Sequence, residues 1–248
     1  MYCGGSPWQT SEQPENNPLT NMMQSEHERR AYLRAMGIDL WIPRDQLDVE
    51  PECAEPEVQP AAGEYDWDEL RSAVAGCTRC PLHASRTQTV FGVGSPAADW
   101  MIIGEAPGAE EDRRGEPFVG RAGKLLDEML LAIREKRESV FIANILKCRP
   151  PNNRDPSPDE AASCRPYLER QIELVRPKII LAVGRSAAQQ LLQSDAPVGR
   201  LRGKVHRLGD TPLVVTYHPA YLLRSPSQKR KSWDDLCLAA GVMAGAAA

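Results

Sequence analysis

The chain has 248 residues with 30 Lys/Arg and 34 Asp/Glu, a net charge of −4. That length holds one α/β domain of ordinary size and an appendage. No apolar stretch is long enough to cross a bilayer and no basic-then-apolar leader opens the chain, so a cytoplasmic protein without a membrane partner is expected. The average charge hides an asymmetry. Residues 1–70 hold 15 acidic and 4 basic residues, a balance of −11, and the remainder is +7. An acidic arm thus precedes a basic body, and a basic body suits a polyanion.

Residues 1–25 are polar, rich in Pro and Asn and without period, and read as a disordered tail. Residues 26–44, "EHERRAYLRAMGIDLWIPR", differ. Leu33, Met36, Ile38 and Trp41 belong to a short amphipathic helix that stops at Gly37 and to an apolar extended piece after it. Residues 45–63 are acidic and Pro-rich, an extended linker. The folded body is expected over 64–248. "DWDELRSAVAGC" opens it as a helix. Apolar runs at 100–104, 140–146, 178–184 and 212–218 read as buried parallel strands. Helical patterns lie between them and a last helix follows at "SQKRKSWDDLCLAAGVM". This alternation predicts a three-layer α/β/α domain on a central parallel four-stranded sheet. Its site should lie outside the carboxyl ends of the strands, where "GEAPGAEED", "NILKCRPPNNR" and "YHPAYLLR" all begin.

Four of the seven cysteines form a pattern. Cys77 and Cys80 make C-x2-C, and Cys148 and Cys164 each precede an Arg-Pro pair. In a reducing compartment such a set means a metal site more often than disulfides. Four thiolates suit zinc or an iron–sulfur cluster, and spacing alone does not separate them. Cys3 and Cys53 have no assignment, and Cys237 is expected to pack within its helix. No G-x-G-x-x-G and no P-loop lysine is present, which sets aside a generic nucleotide-binding enzyme.

Taken together, "GEAPGAEED" with "GEPFVGRAG", "NILKCRPPNNR", "YHPAYLLR" and the four cysteines resemble the family 4 uracil-DNA glycosylases, the iron–sulfur branch of their superfamily. The motifs occur in order and with that family's spacing over roughly residues 64–240. The resemblance implies a [4Fe-4S] cluster on Cys77, Cys80, Cys148 and Cys164, with zinc as the alternative. It implies uracil-containing DNA as partner and a nucleotide flipped out of the helix into a pocket. Phe118 would stack on the base and Asn144 would read its polar edge. His218 would donate to the uracil oxygen where charge develops. Glu105 would stabilise the sugar cation or orient water. Glu111 belongs to the site by the same resemblance, and the Ala106, Pro107 and Gly108 backbone shapes the pocket floor. Arg121, Lys124, Arg149, Arg154, Lys204 and Arg224 are candidates for DNA phosphates, with His206 a weaker one. Some related glycosylases carry a His-containing basic insertion and are trapped covalently on DNA. Here "PPNNRDPSP" stands in that place, so turnover is expected.

The leading segment is extra to that family. "RRAYLRAMGIDLWIPR" resembles the N-terminal peptide of the psi subunit of bacterial DNA polymerase III, which implies docking of residues 26–44 on the clamp-loader collar. Outside such complexes a monomer is expected. Two readings of different class follow: an active glycosylase delivered by its arm, or a clamp-loader accessory subunit with a glycosylase-like scaffold. Intact Glu105, Phe118, Asn144 and His218 favour the first.

Overall fold

The computed structural model describes residues 26–38 and 65–246. The chain divides into two units, residues 1–58 and 59–248. The expectations for the tail at 1–25, the linker at 45–63, Trp41, Cys3 and Cys53 lie outside the described residues.

In the first unit, α1 spans Glu26–Ala35. It closes as expected at Gly37. The Gly37 amide donates to Arg34 O at 3.0 Å and the Ile38 amide to Leu33 O at 3.0 Å, the paired bonds of a Schellman cap. Met36 and Ile38 are exposed and Leu33 is half-buried.

The second unit begins with α2 (Trp67–Ala75). Asp66 caps it, accepting from the Asp68 and Glu69 amides, while Glu69 returns a bond to the Asp66 amide. Six strands follow: β1 (Val93–Gly94), β2 (Trp100–Gly104), β3 (Phe141–Asn144), β4 (Ile179–Val183), β5 (Val205–Leu208) and β6 (Thr211–Thr216). They form one sheet in the order β1-β3-β2-β4-β6-β5. The inner four are mutually parallel, and β1 and β5 add antiparallel edges. The expected parallel sheet is therefore the centre of a larger mixed one. The edge strands carry weak signals. β1 has two residues, and β5 alternates exposed with half-buried positions in a hairpin with β6.

The remaining helices are α3 (Ala109–Arg114), α4 (Arg121–Ala132), α5 (Pro158–Val175), α6 (Arg185–Leu192), α7 (Val198–Leu201), α8 (Pro219–Arg224) and α9 (Lys229–Ala246). Strand side chains alternate between two apolar layers, as a pleated sheet buried on both faces requires. Met101, Ile103, Phe141, Ala143, Ile180 and Ala182 pack with α2, α5 and α6. Trp100, Ile102, Ile142, Ile179 and Leu181 pack with α4, α8 and α9. The result is the α/β/α sandwich. Cys237 corrects its expectation: it is exposed on α9 and packs into neither layer.

The register fixes the site. Gly104 stands opposite Asn144 across β2–β3, and Ala182 and Val183 stand opposite Val215 and Thr216 across β4–β6. All four carboxyl ends open on one side. The switch in strand order lies between β2 and β4, where a doubly wound sheet forms its crevice.

α5 carries one of the four cysteines and starts with a capping box, Ser157 and Glu160 exchanging bonds. Ser157→Ala should lower stability by about 1 kcal/mol, measured as a shift of the urea midpoint at constant slope.

Candidate active site

Glu105 is the first residue after β2, Asn144 the last of β3 and His218 the second after β6. These three, with Ala106, Gly108, Glu111, Phe118, Ala122, Asn153, Ala220, Tyr221 and Arg224, line one cleft of about 1130 Å³, its open mouth included. The carboxyl-end motifs therefore converge as expected. Pro107 is buried behind the lining and supports the turn.

Glu105 is partly buried and its Oε2 accepts a 2.5 Å bond from Ser186 Oγ at the start of α6. Burial raises its pKa above the usual carboxylate value, and the nearby Asp155 adds to this against the Ser186 bond and Arg185. Sequence reading did not find Ser186. It enters only because β4 lies beside β2, so that the first turn after β4 faces the residue after β2.

Asn144 is 2% exposed and its Oδ1 has no hydrogen-bond partner. A buried carboxamide oxygen without a partner costs free energy unless a ligand meets it. The Asn144 main-chain oxygen is occupied: it accepts a 2.8 Å bond from Lys147 Nζ, which also donates to Gln171 Oε1 at 2.6 Å. The main chain of Asn144 is thus held from behind, and the residue lines the cleft.

His218 caps α8. Its Nδ1 accepts from the Ala220 amide at 3.1 Å, so the neutral ring carries its proton on Nε2 as a donor. Burial lowers its pKa to about 4, with Arg224 lowering it further and Glu111 opposing. The Phe118 ring lies 5.5 Å from the His218 ring with planes 28° apart. A planar group laid against Phe118 therefore runs nearly parallel to the imidazole. Glu111 Oε1 accepts from the Val119 and Gly120 amides at 3.0 and 3.3 Å, so it holds the Phe118 loop as well as lining the cleft.

The cationic candidates separate. Arg224 lines the cleft and Arg149 donates from Nε to Asn153 Oδ1 at 2.8 Å, beside it. Arg121 and Lys124 are exposed on the helix that follows Phe118. Lys204 is exposed but is not among the lining residues. Arg154 is a different case. Its guanidinium grips both oxygens of Glu160, which removes it from the residues free to take a phosphate. His206 bonds Leu201 O at 2.7 Å, a structural contact within the hairpin edge. Asn153 and Tyr221 sat inside quoted motifs without being singled out. Asn153 has a positive φ of 53°, a conformation the sequence shows only as an Asn-Asn pair.

Cys77, Cys80, Cys148 and Cys164 line a second cavity of about 290 Å³, its opening included, with Arg86, Lys147 and Tyr167. Donors point at the sulfurs: Arg86 Nη1 to Cys148 at 3.1 Å, the Lys147 amide to Cys164 at 3.2 Å and the Arg79 amide to Cys77 at 3.5 Å. Such N–H···S bonds suit thiolates that serve as ligands. Among the described residues no three His, Cys, Asp or Glu side chains close on a single-ion position.

A family profile described as "Uracil DNA glycosylase superfamily" matches residues 91–238. The chain is 43% identical over 176 residues to a type-4 uracil-DNA glycosylase of Archaeoglobus fulgidus, covering 68% of this chain and 88% of the relative. It is 44% identical over 171 residues to a type-4 uracil-DNA glycosylase of Thermotoga maritima, covering 66% and 89%. To one of Pyrobaculum aerophilum it is 41% identical over 181 residues, covering 70% and 92%.

His218 sets a pH test. Its folded pKa of about 4 lies below the ordinary 6.5, so between these values the unfolded chain binds the extra proton. Its stabilising contribution is full above pH 6.5 and is lost as pH falls toward 4. An NMR titration should show a neutral, Nε2-protonated ring at pH 5.5. In His218→Asn the fall of stability over this window should be shallower. A His218 titrating near 6.5 contradicts this account.

Proposed function

The chain belongs to the uracil-DNA glycosylase superfamily, alongside the type-4 enzymes, and on that premise we propose how its cleft works. The protein is a uracil-DNA glycosylase, a hydrolase of base excision repair that cuts the bond between uracil and deoxyribose. The observation that carries the roles below is the buried, unpartnered Asn144 Oδ1 in a cleft shared with Glu105 and His218.

Uracil enters as a flipped nucleotide, since its glycosidic bond cannot be worked on within the stack. Phe118 takes one face of the ring. The Asn144 carboxamide reads the edge, its oxygen accepting the N–H that uracil offers. As the C1′–N bond lengthens, the electron pair goes to the base and the sugar becomes cationic. His218 donates from Nε2 to the uracil oxygen that gains charge. Because the ring is neutral, it stabilises the leaving anion by hydrogen bonding and keeps its proton. Glu105, as carboxylate, faces the cationic sugar and orients the water that adds to C1′. Water supplies the hydroxyl at C1′ and a proton to solvent, and uracil and an abasic site leave. Ser186 holds the Glu105 carboxylate in place. Arg224, Arg149, Arg121 and Lys124 take phosphates beside the cleft, and Lys204 takes one further out. Glu111 acts by holding the loop. No histidine follows Asn153 before α5, which supports turnover over covalent trapping.

Cys77, Cys80, Cys148 and Cys164 would hold a [4Fe-4S] cluster. Bound there it supplies a cross-link between the segment after α2, the segment after β3 and α5, and no redox step. Cys148→Ser should lower the iron content and the melting temperature together.

For residues 26–44 we propose partner docking at the replication clamp-loader collar, in the cytoplasm. Tyr32, Met36 and Ile38 are 64%, 65% and 47% exposed, and apolar side chains of that size suit a groove. The reading of the whole chain as an accessory scaffold is not favoured beside its similarity to type-4 glycosylases.

The test is release of uracil from a labelled oligonucleotide under single turnover. His218→Ala should slow it roughly 10²–10³-fold, the usual loss for one such donor. Asn144→Ala should abolish preference for uracil and leave binding to undamaged DNA unchanged. The rate should fall with acid through the raised pKa of Glu105, above the ordinary 4.5. Unchanged excision by Asn144→Ala rules its role out.

A further inference from the structure

Phe118 is not a glycine, yet its φ is +53°. That conformation is strained for a bulky residue and persists only where neighbours enforce it. Two charged side chains do so from opposite sides. Glu111 takes the amides of Val119 and Gly120. Arg137, from the turn before β3, takes the carbonyls: Nη1 donates to Phe118 O at 3.2 Å and Nη2 donates to Pro117 O. Asp127 on α4 accepts from the same Nη1 at 3.2 Å and balances the charge. Among the described residues no other side chain donates to these two carbonyls. The Arg137 side chain is 19% exposed, so its fork works largely away from water, where charge-assisted bonds are strongest. Gly123 completes the seat, because a Cβ there would run into the Phe118 carbonyl.

We propose that Arg137 is a positioning residue for base recognition. By clamping the Pro117 and Phe118 carbonyls it holds the Phe118 ring near-parallel to the His218 imidazole, in the orientation that receives a flipped pyrimidine. It touches neither base nor sugar and acts through Phe118. A lysine offers no planar fork and satisfies one carbonyl at a time, so Arg137→Lys retains part of the effect and Arg137→Gln little of it.

The proposal rests on the glycosylase reading, and the test is a double-mutant cycle on the full chain with iron content checked throughout. Arg137→Gln, Phe118→Ala and the double variant are compared for single-turnover excision, KM and inhibition by free uracil. Arg137→Gln should weaken inhibition by uracil by about tenfold, the size of an ordinary coupling between contacting residues. It should raise KM more than it lowers kcat. Arg137→Lys should fall between it and the unaltered protein. In the Phe118→Ala background, Arg137→Gln should add nothing further. A full, additive loss in that background overturns the proposal, because a merely structural arginine costs the same whether or not the ring is present. Unchanged inhibition by uracil overturns it as well. Should Arg137→Gln fail to fold, the same cycle is run with Arg137→Lys. Absence of excision by the unaltered protein would count against the glycosylase reading, which keeps the two failures distinct.

Discussion

Gly104 ends β2 with the carboxamide of Asn144 on one side and the ring of Phe118 on the other. A Cβ at this position would stand 2.5 Å from Asn144 Oδ1 and 2.6 Å from the Phe118 ring. Only a residue without a side chain lets the Asn144 amide and the Phe118 ring approach the same strand end. The parallel register sets Asn144 opposite Gly104. Ring and amide therefore close on the strand end where a side chain would otherwise stand.

Charge is then added sparingly to a cleft that burial has made responsive. Glu105 is raised by desolvation and His218 is lowered by it. The same physical cause moves an acid and a base toward their neutral forms, and hydrogen bonds then decide what each does. Ser186 supports the carboxylate and the Ala220 amide selects the donor nitrogen of the imidazole. Arg224 lines the cleft and makes it inhospitable to a protonated histidine.

Much of this was readable from the residues alone. The runs at 100–104 and 178–184 stand out because strands buried on both faces are continuously apolar, and β2 (Trp100–Gly104) and β4 (Ile179–Val183) lie within them. Glu105, Asn144 and His218 were readable because each follows or ends such a run inside a dense polar motif. The four cysteines were readable by their spacing. The edge strands were not, since β1 is two residues long and β5 is half in water. α3 was missed because "GAEEDRRG" is short, charged and bracketed by glycines, so it reads as a loop. Its acidic first turn and basic last turn complement the helix dipole all the same. Ser186, Asn153 and Arg137 carry no spacing signal. Single polar residues acquire meaning only when strand order and positive φ angles bring them to a site.

Residues 144–148 join two places that differ in every other respect. Asn144 faces the cleft, Cys148 faces the sulfur-lined cavity, and Lys147 lies buried between them. Its amide donates to Cys164 and its ammonium bonds back to the Asn144 carbonyl and to Gln171. Gln171 in turn donates to Phe91 O, 80 residues earlier in the chain. No residue can be inserted into or deleted from this strap without turning one of its ends away from its partner. Length variation among descendants of this chain must therefore fall elsewhere, beyond Cys148 or in the segment that leads to β3, and the two sites have to be inherited as one piece.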